Sequence, residues 1–292
     1  MNKLNETVSH LIDTYRDVSK IRNIELFSDF LINGYKMTTL SSVEEKHYNN
    51  VILAKMHLGM LITLYDDLAD NPKFQDNELL EILYMLPFVE EDFIKNLSLE
   101  QIKIYELSKF LLNGLQRHLK DCPNYEVLKD FFHFDIEQIF TANKYSSLIT
   151  QLPHGASSYE SSRYGSFNMG IVAAGMIDLM GSEKFNINEL GYSRSIFHSA
   201  QRMGRISNLI VTLDRELSEK DLTNELYIKF NYPMDEEDKD YSSIERQTLN
   251  EFNSLTKRIL KHEKYIFHFS VKDYCEGINN LHKLHLSLKG II

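Results

Sequence analysis

The chain of 292 residues is long for one average domain and short for two, so a single large domain with one core over 1–292 is expected. Only 12 Gly and 5 Pro argue against turn-rich β-sandwiches and barrels, and 43% hydrophobic content with 17 Phe and 16 Tyr argues against wholesale disorder. A net charge of −10 without any basic block excludes nucleic acid or an anionic membrane surface as the main partner, although an acidic protein can still take an anion through metal ions.

At the N-terminus Met1–Glu6 lacks the apolar region of a secretory signal, and no apolar run approaches the ~20 residues of a membrane span, so a soluble, cytoplasmic protein is expected. Ser42-Val43-Glu44-Glu45 has the pattern of a capping box and is followed by Val51, Ala54, Leu58, Leu61 and Tyr65 at helical spacing, predicting a long helix that ends in Asp66, Asp67 and Asp70. Ser98-Leu99-Glu100-Gln101 repeats the box before Ile102, Tyr105, Leu111 and Leu115. The stretches 124–149, 157–180, 186–217, 243–268 and 270–288 read as further helices, and no strict alternation appears, which predicts an all-α domain of about ten helices. Breaks at Pro72, Pro123, Pro153 and Pro233 come without Gly/Ser linkers, and the polar run Pro233–Tyr241 reads as a loop. Cys122 and Cys275 stand far apart, so neither a disulfide framework nor a thiolate metal site is supported and a reducing compartment fits.

Two acidic constellations carry chemistry. Asp66 and Asp70, at i and i+4, share a helix face with Asp67 beside them; three carboxylates repel one another unless a cation joins them, and oxygen ligands suit Mg²⁺. The competing reading is a solvated helix end, weakened because acids at a helix C-terminus oppose the macrodipole. Downstream, Asn208, Thr212 and Glu216 stand at i, i+4 and i+8, a stripe of oxygen ligands flanked by Arg205 and Arg215. Metal ligands beside guanidinium forks suit a diphosphate; an exposed polar face with an internal Arg–Glu pair is the alternative.

The pair Asp66-Asp67-x-x-Asp70 and Asn208-x-x-x-Thr212-x-x-x-Glu216, about 140 residues apart, resembles the two metal motifs of class I terpene synthases. Arg215-Glu216 followed by Asp221 and Asn224 resembles that family too, with Lys220 replacing a frequent Gly, and Arg163, 45 residues before Asn208, lies near its diphosphate-sensing Arg. Leu209 replaces a frequent second acidic residue, and no Arg-Tyr pair follows near the C-terminus. The flanks Leu64-Tyr65 and Gly204-Arg205 are similar to those of bacterial diterpene synthases of the kaurene-synthase kind.

The resemblance implies a single-domain helical bundle around an apolar cavity and a lyase that ionises a geranylgeranyl, farnesyl or copalyl-type diphosphate and guides carbocation cyclisation. It implies metal held by Asp66, Asp67, Asp70, Asn208, Thr212 and Glu216, with Arg163, Arg205 and Arg215 on the diphosphate. It further implies three Mg²⁺ ions with bound diphosphate, Mn²⁺ able to substitute, a small-molecule partner, and a homodimer left open. Aromatics that could wall a cation cavity are Phe27, Phe30, Tyr65, Phe134, Phe140, Phe167 and Tyr274, though an ordinary core position is the favoured reading of each. Gly165, Gly170 and Gly175 resemble in position the family's broken helix, or serve helix packing. A chain-elongating prenyl diphosphate synthase would carry a second D-D-x-x-D in place of Asn208–Glu216, and a non-catalytic helical scaffold would need no metal.

Overall fold

A computed structural model describes residues 2–71, 74–89, 94, 97–219, 225–226 and 241–291, the side chains of 2, 153, 214–219 and 241–245 excepted. All regular structure among these residues is helical. The α-helices are α1 (Asn2–Val18), α2 (Ile32–Thr38), α3 (Glu45–Asp70), α4 (Asn77–Met85), α5 (Leu99–Lys120), α6 (Tyr125–Gln151), α7 (Ser158–Tyr164), α8 (Ile171–Met180), α9 (Leu190–Glu219), α10 (Tyr241–Leu260) and α11 (Val271–Ser287). No helix among the described residues is long and apolar enough to cross a membrane. The predicted loop Pro233–Tyr241 lies, but for Tyr241 at the start of α10, outside the described residues.

Helix α3 is the axis of the bundle because nearly all of its side chains from Val51 to Leu61 are buried, so it presents no solvent face and must be surrounded. It packs against α5, α6 and α8 and touches α1, α2 and α4, whereas α9 binds α8, α10 and α11, and α11 closes on α2. By contrast α1 is one-sided: Leu4, Val8, Leu11, Ile12 and Tyr15 recur at helical spacing and are its buried stripe.

The Ser98 capping box is formed, with the Gln101 amide donating to Ser98 Oγ (3.3 Å) and the Ser98 amide to Gln101 Oε1 (2.9 Å), a device worth about 1 kcal/mol. The box expected at Ser42 is not. Helix α3 begins at Glu45 with Glu44 as an uncapped N-cap, because Ser42 Oγ is spent on Ser182 Oγ (2.7 Å) and the Glu44 carboxylate on the Glu183 amide (3.0 Å), both beyond α8.

The predicted helix 157–180 is interrupted. It ends as α7, passes through a 3₁₀ turn, Phe167–Met169, and restarts as α8 after Gly170, whose φ of +62° is left-handed. A Cβ on Gly170 would also stand 2.5 Å from Ile62 Cδ1 of α3. Gly175 serves packing instead: a Cβ there would lie 2.7 Å from the Phe197 ring of α9. A π-helical turn, Leu26–Leu31, leads directly into α2, and periodicity gave no sign of it.

Candidate active site

A cavity of about 1630 Å³ runs between α2, α3, α6, α8, α9 and α11. Ile62 of α3, Met169, Ile171 of α8 and Leu281 of α11 contribute apolar wall, and Leu26, Phe30 and Leu31 bring the π-helical turn to it. Of the seven aromatics expected as wall, Phe30 and Tyr274 line the cavity. Phe27 packs on Tyr15, Tyr65 and Phe140 pack with Tyr84 in the core, and Phe134 is 51% exposed, so these serve elsewhere. Phe167 belongs to the 3₁₀ turn and is not among the lining residues.

The C-terminal end of α3 brings Asp66 and Asp70 to the cavity, as expected of one helix face. Asp66 Oδ1 accepts from Asn168 Nδ2 (3.0 Å), and Asp70 Oδ2 accepts from Ser146 Oγ of α6 (2.9 Å). Asp67 does not join them. One residue further on, about 100° around the helix, its fully enclosed carboxylate takes the Arg22 Nε and NH2 groups, each at 2.7 Å. Arg22 also lies 3.8 Å from Asp66. Burial works against its charged form, but the carboxylates of Asp67, Asp66 and Asp70 prevail and raise its pKa above the ordinary guanidinium value. Among the described residues no three His, Cys, Asp or Glu side chains converge into a preformed metal cluster.

Across the cavity α9 presents Arg205, Asn208 and Thr212. Arg205 NH1 donates to Asn208 Oδ1 (3.0 Å), while its Nε is buried without a hydrogen-bond partner. Thr212 Oγ1 donates to the Asn208 carbonyl (2.8 Å), so its oxygen lone pairs remain as acceptors. Helix α9 continues to Glu219, placing Glu216 on the same helix two turns after Asn208; the side chains of Arg215 and Glu216, like Lys220, Asp221 and Asn224, lie outside the described residues. Arg163 is not brought to the cavity: it is exposed in the last turn of α7, donating to the Tyr159 hydroxyl (3.3 Å).

Sequence reasoning missed Arg22, Asn168 and Ser146, which hold the aspartates, and a buried pair on the same cavity. Lys55 Nζ lies 2.5 Å from Asp178 Oδ1, with Thr39 Oγ1 (3.1 Å) and the Leu40 amide (Asp178 Oδ2, 3.2 Å) completing the cluster. Burial lowers the Lys55 pKa against the pull of Asp178, and burial raises that of Asp178 to about 6 against the pull of Lys55. The signal was present, since each is a lone charge inside a strongly apolar helix and a buried charge requires a partner. His57 behaves as a core histidine: it fills the space beside Gly114, and burial lowers its pKa to about 3.

No protein-family model and no curated protein matches the chain. A solved structure does: isoprene synthase from grey poplar leaves (Populus x canescens), in complex with three Mg²⁺ ions and dimethylallyl-S-thiolodiphosphate, superposes with a TM-score of 0.68 at 13% identity. The match covers 99% of this chain and 54% of that one, so the chain spans about half the length of the protein it resembles. Identity this low speaks for architecture alone, and in architecture the chain has the all-α fold of a class I terpene synthase.

Proposed function

We propose that the chain is a Mg²⁺-dependent terpene synthase that ionises a prenyl diphosphate of fifteen or twenty carbons, or a pre-cyclised copalyl-type diphosphate, and guides the resulting carbocation to a cyclic product. The observation that carries this reading is one apolar cavity with two carboxylates of α3 on one wall and a guanidinium, a carboxamide and a hydroxyl of α9 on another. A volume of about 1630 Å³ favours a long isoprenoid, because clefts for small ligands usually hold roughly 300–1,000 Å³. Asn208, Thr212 and Glu216 in place of a second aspartate-rich motif weigh against chain elongation.

The donors fit a hard divalent cation: Asp66, Asp70, Asn208, Thr212 and Glu216 offer oxygen only, and the buried Asn168 Oδ1, which has no hydrogen-bond partner, supplies an unused acceptor beside Asp66. Bound magnesium would neutralise the diphosphate and stabilise it as it leaves. Arg205, whose Nε lacks a partner, supplies a donor to the departing anion, and Arg22 adds positive charge on the cavity wall. The allylic cation left behind is shielded from water by Ile62, Leu281 and their neighbours, and Phe30, Tyr35 and Phe252 offer ring faces whose quadrupoles attract it. Arg163 would reach a diphosphate only through rearrangement of the α7–α8 break; Asp67 acts by holding Arg22.

Incubation with geranyl, farnesyl, geranylgeranyl and copalyl diphosphates plus Mg²⁺ should release inorganic diphosphate and a terpene detected by mass analysis. Asp66→Asn and Glu216→Gln should each lower turnover by orders of magnitude with the helical fold retained. Absence of diphosphate release from all four, or full turnover in excess EDTA, would refute the reading.

A further inference from the structure

We propose that Asn168 is a positioning residue that couples the state of Asp66 to the break between α7 and α8. The inference rests on the reading of Asp66 as a ligand of a divalent cation.

The turn 165–170 is gripped from both walls that carry the proposed ligands. From α3, Asp66 Oδ1 takes the Asn168 amide at 3.0 Å, and Ile62, one helical turn earlier, packs so close to Gly170 that a Cβ would stand 2.5 Å from its Cδ1. From α9, the Arg205 guanidinium lies against Gly165, where a Cβ would come within 3.2 Å of Nε. A turn held this closely cannot ignore a change at its contacts.

The Asn168 side chain is satisfied at one end only. Its Nδ2 donates to Asp66, while its Oδ1 is buried with no hydrogen-bond partner, an arrangement that is costly to keep. A divalent cation on Asp66 Oδ1 reverses both preferences: it competes for the lone pair that Nδ2–H now uses and attracts the orphaned Oδ1. The carboxamide must then swing away or turn over, and the 3₁₀ turn Phe167–Met169 moves with it. Gly170, already left-handed at φ +62°, can take up the backbone change without side-chain strain.

The test uses the full chain with Mn²⁺ and inorganic diphosphate, without turnover. Mn²⁺ binding is read by electron paramagnetic resonance, and the turn by hydrogen–deuterium exchange of a peptide spanning 165–170. In the wild type, exchange in that peptide should change when Mn²⁺ binds. In Asn168→Leu, which removes both the competing donor and the added acceptor, Mn²⁺ affinity should stay within about tenfold of wild type, and the turn should stop responding. Asn168→Gln, which keeps the amide on a longer stem, should restore part of the response, and it carries the test should the Leu substitution unfold the turn. A turn that responds equally with Leu at this position, a folded Asn168→Leu protein that no longer binds Mn²⁺, or a Gln variant without response overturns the coupling. Undiminished Mn²⁺ binding by Asp66→Asn would instead refute Asp66 as a ligand, an outcome independent of the coupling.

Discussion

Truncation of Arg22 separates a structural Asp67 from a metal-binding one. The Asp67 side chain has 0% exposure; its Oδ1 accepts the Arg22 Nε hydrogen bond at 2.7 Å and lies 2.7 Å from Arg22 NH2. Arg22→Met keeps most of the apolar stem but leaves a carboxylate enclosed without its cation. Breaking a buried pair in this way costs roughly 3–5 kcal/mol, against about 0–1 for an exposed one. Because the Arg22 side chain is 25% exposed, water can partly replace it, and the lower end, about 3 kcal/mol, is expected. In a chain of this size that corresponds to a fall in Tm of about 5 °C. Thermal unfolding by circular dichroism measures it, and the double variant Arg22→Met/Asp67→Leu, which removes the stranded charge, should recover most of the loss. Asp67→Asn should destabilise while still binding Mn²⁺. The reasoning is refuted if Arg22→Met melts within about 2 °C of wild type, the scale of an exposed pair, or if Asp67→Asn abolishes Mn²⁺ binding without lowering Tm.

Two further predictions concern the remaining charges. Arg205→Lys, which loses the planar fork, should weaken inorganic diphosphate binding in the presence of Mg²⁺ by about ten- to a hundredfold, whereas Arg163→Lys should do so only if the α7–α8 break recloses around the anion; calorimetric titration of both variants distinguishes the two sites. Lys55→Met should be strongly destabilised at neutral pH, and its deficit should shrink on acidification. The folded pKa of Asp178 is raised from 3.8 to about 6, so its favourable contribution is present at low pH and lost as pH rises through that value, and removing Lys55 moves the value higher still; Tm measured from pH 8 to pH 5 should therefore converge toward wild type.

The helical content and the two motif helices were legible because their signals are local. The Ser98 box, the periodicity around Asp66–Asp70 and the i, i+4, i+8 spacing from Asn208 each depend on residues within a few turns, and each lies on a helix of the fold. What failed was decided by distant partners. Ser42 has the sequence of a cap, yet Ser182, 140 residues away, claims its hydroxyl. Asp67 looks identical to its neighbours until Arg22 arrives from a loop 45 residues earlier. The glycines illustrate the boundary well: Gly170 and Gly175 look alike within an apolar helical pattern, but one takes a left-handed φ against Ile62 while the other accommodates the Phe197 ring.

The acidic end of α3 also explains why residues without a motif gather there. Carboxylates in the last turn of a helix face its partial negative charge, so an unaided Asp66-Asp67-x-x-Asp70 would destabilise the helix that carries it. The fold answers with donors from three separate elements: Arg22 from the loop after α1, Ser146 from α6 and Asn168 from the turn before α8. These differ in how readily they yield. Arg22 holds a carboxylate with no exposure and anchors the N-terminal segment, whereas Ser146 and Asn168, uncharged donors, each offer a single hydrogen bond to carboxylates on the cavity, contacts weaker than an ion pair. On the function proposed above, the same repulsion that requires those donors would make Asp66 and Asp70 ready to exchange them for metal, whereas the Asp67 carboxylate is already held by Arg22.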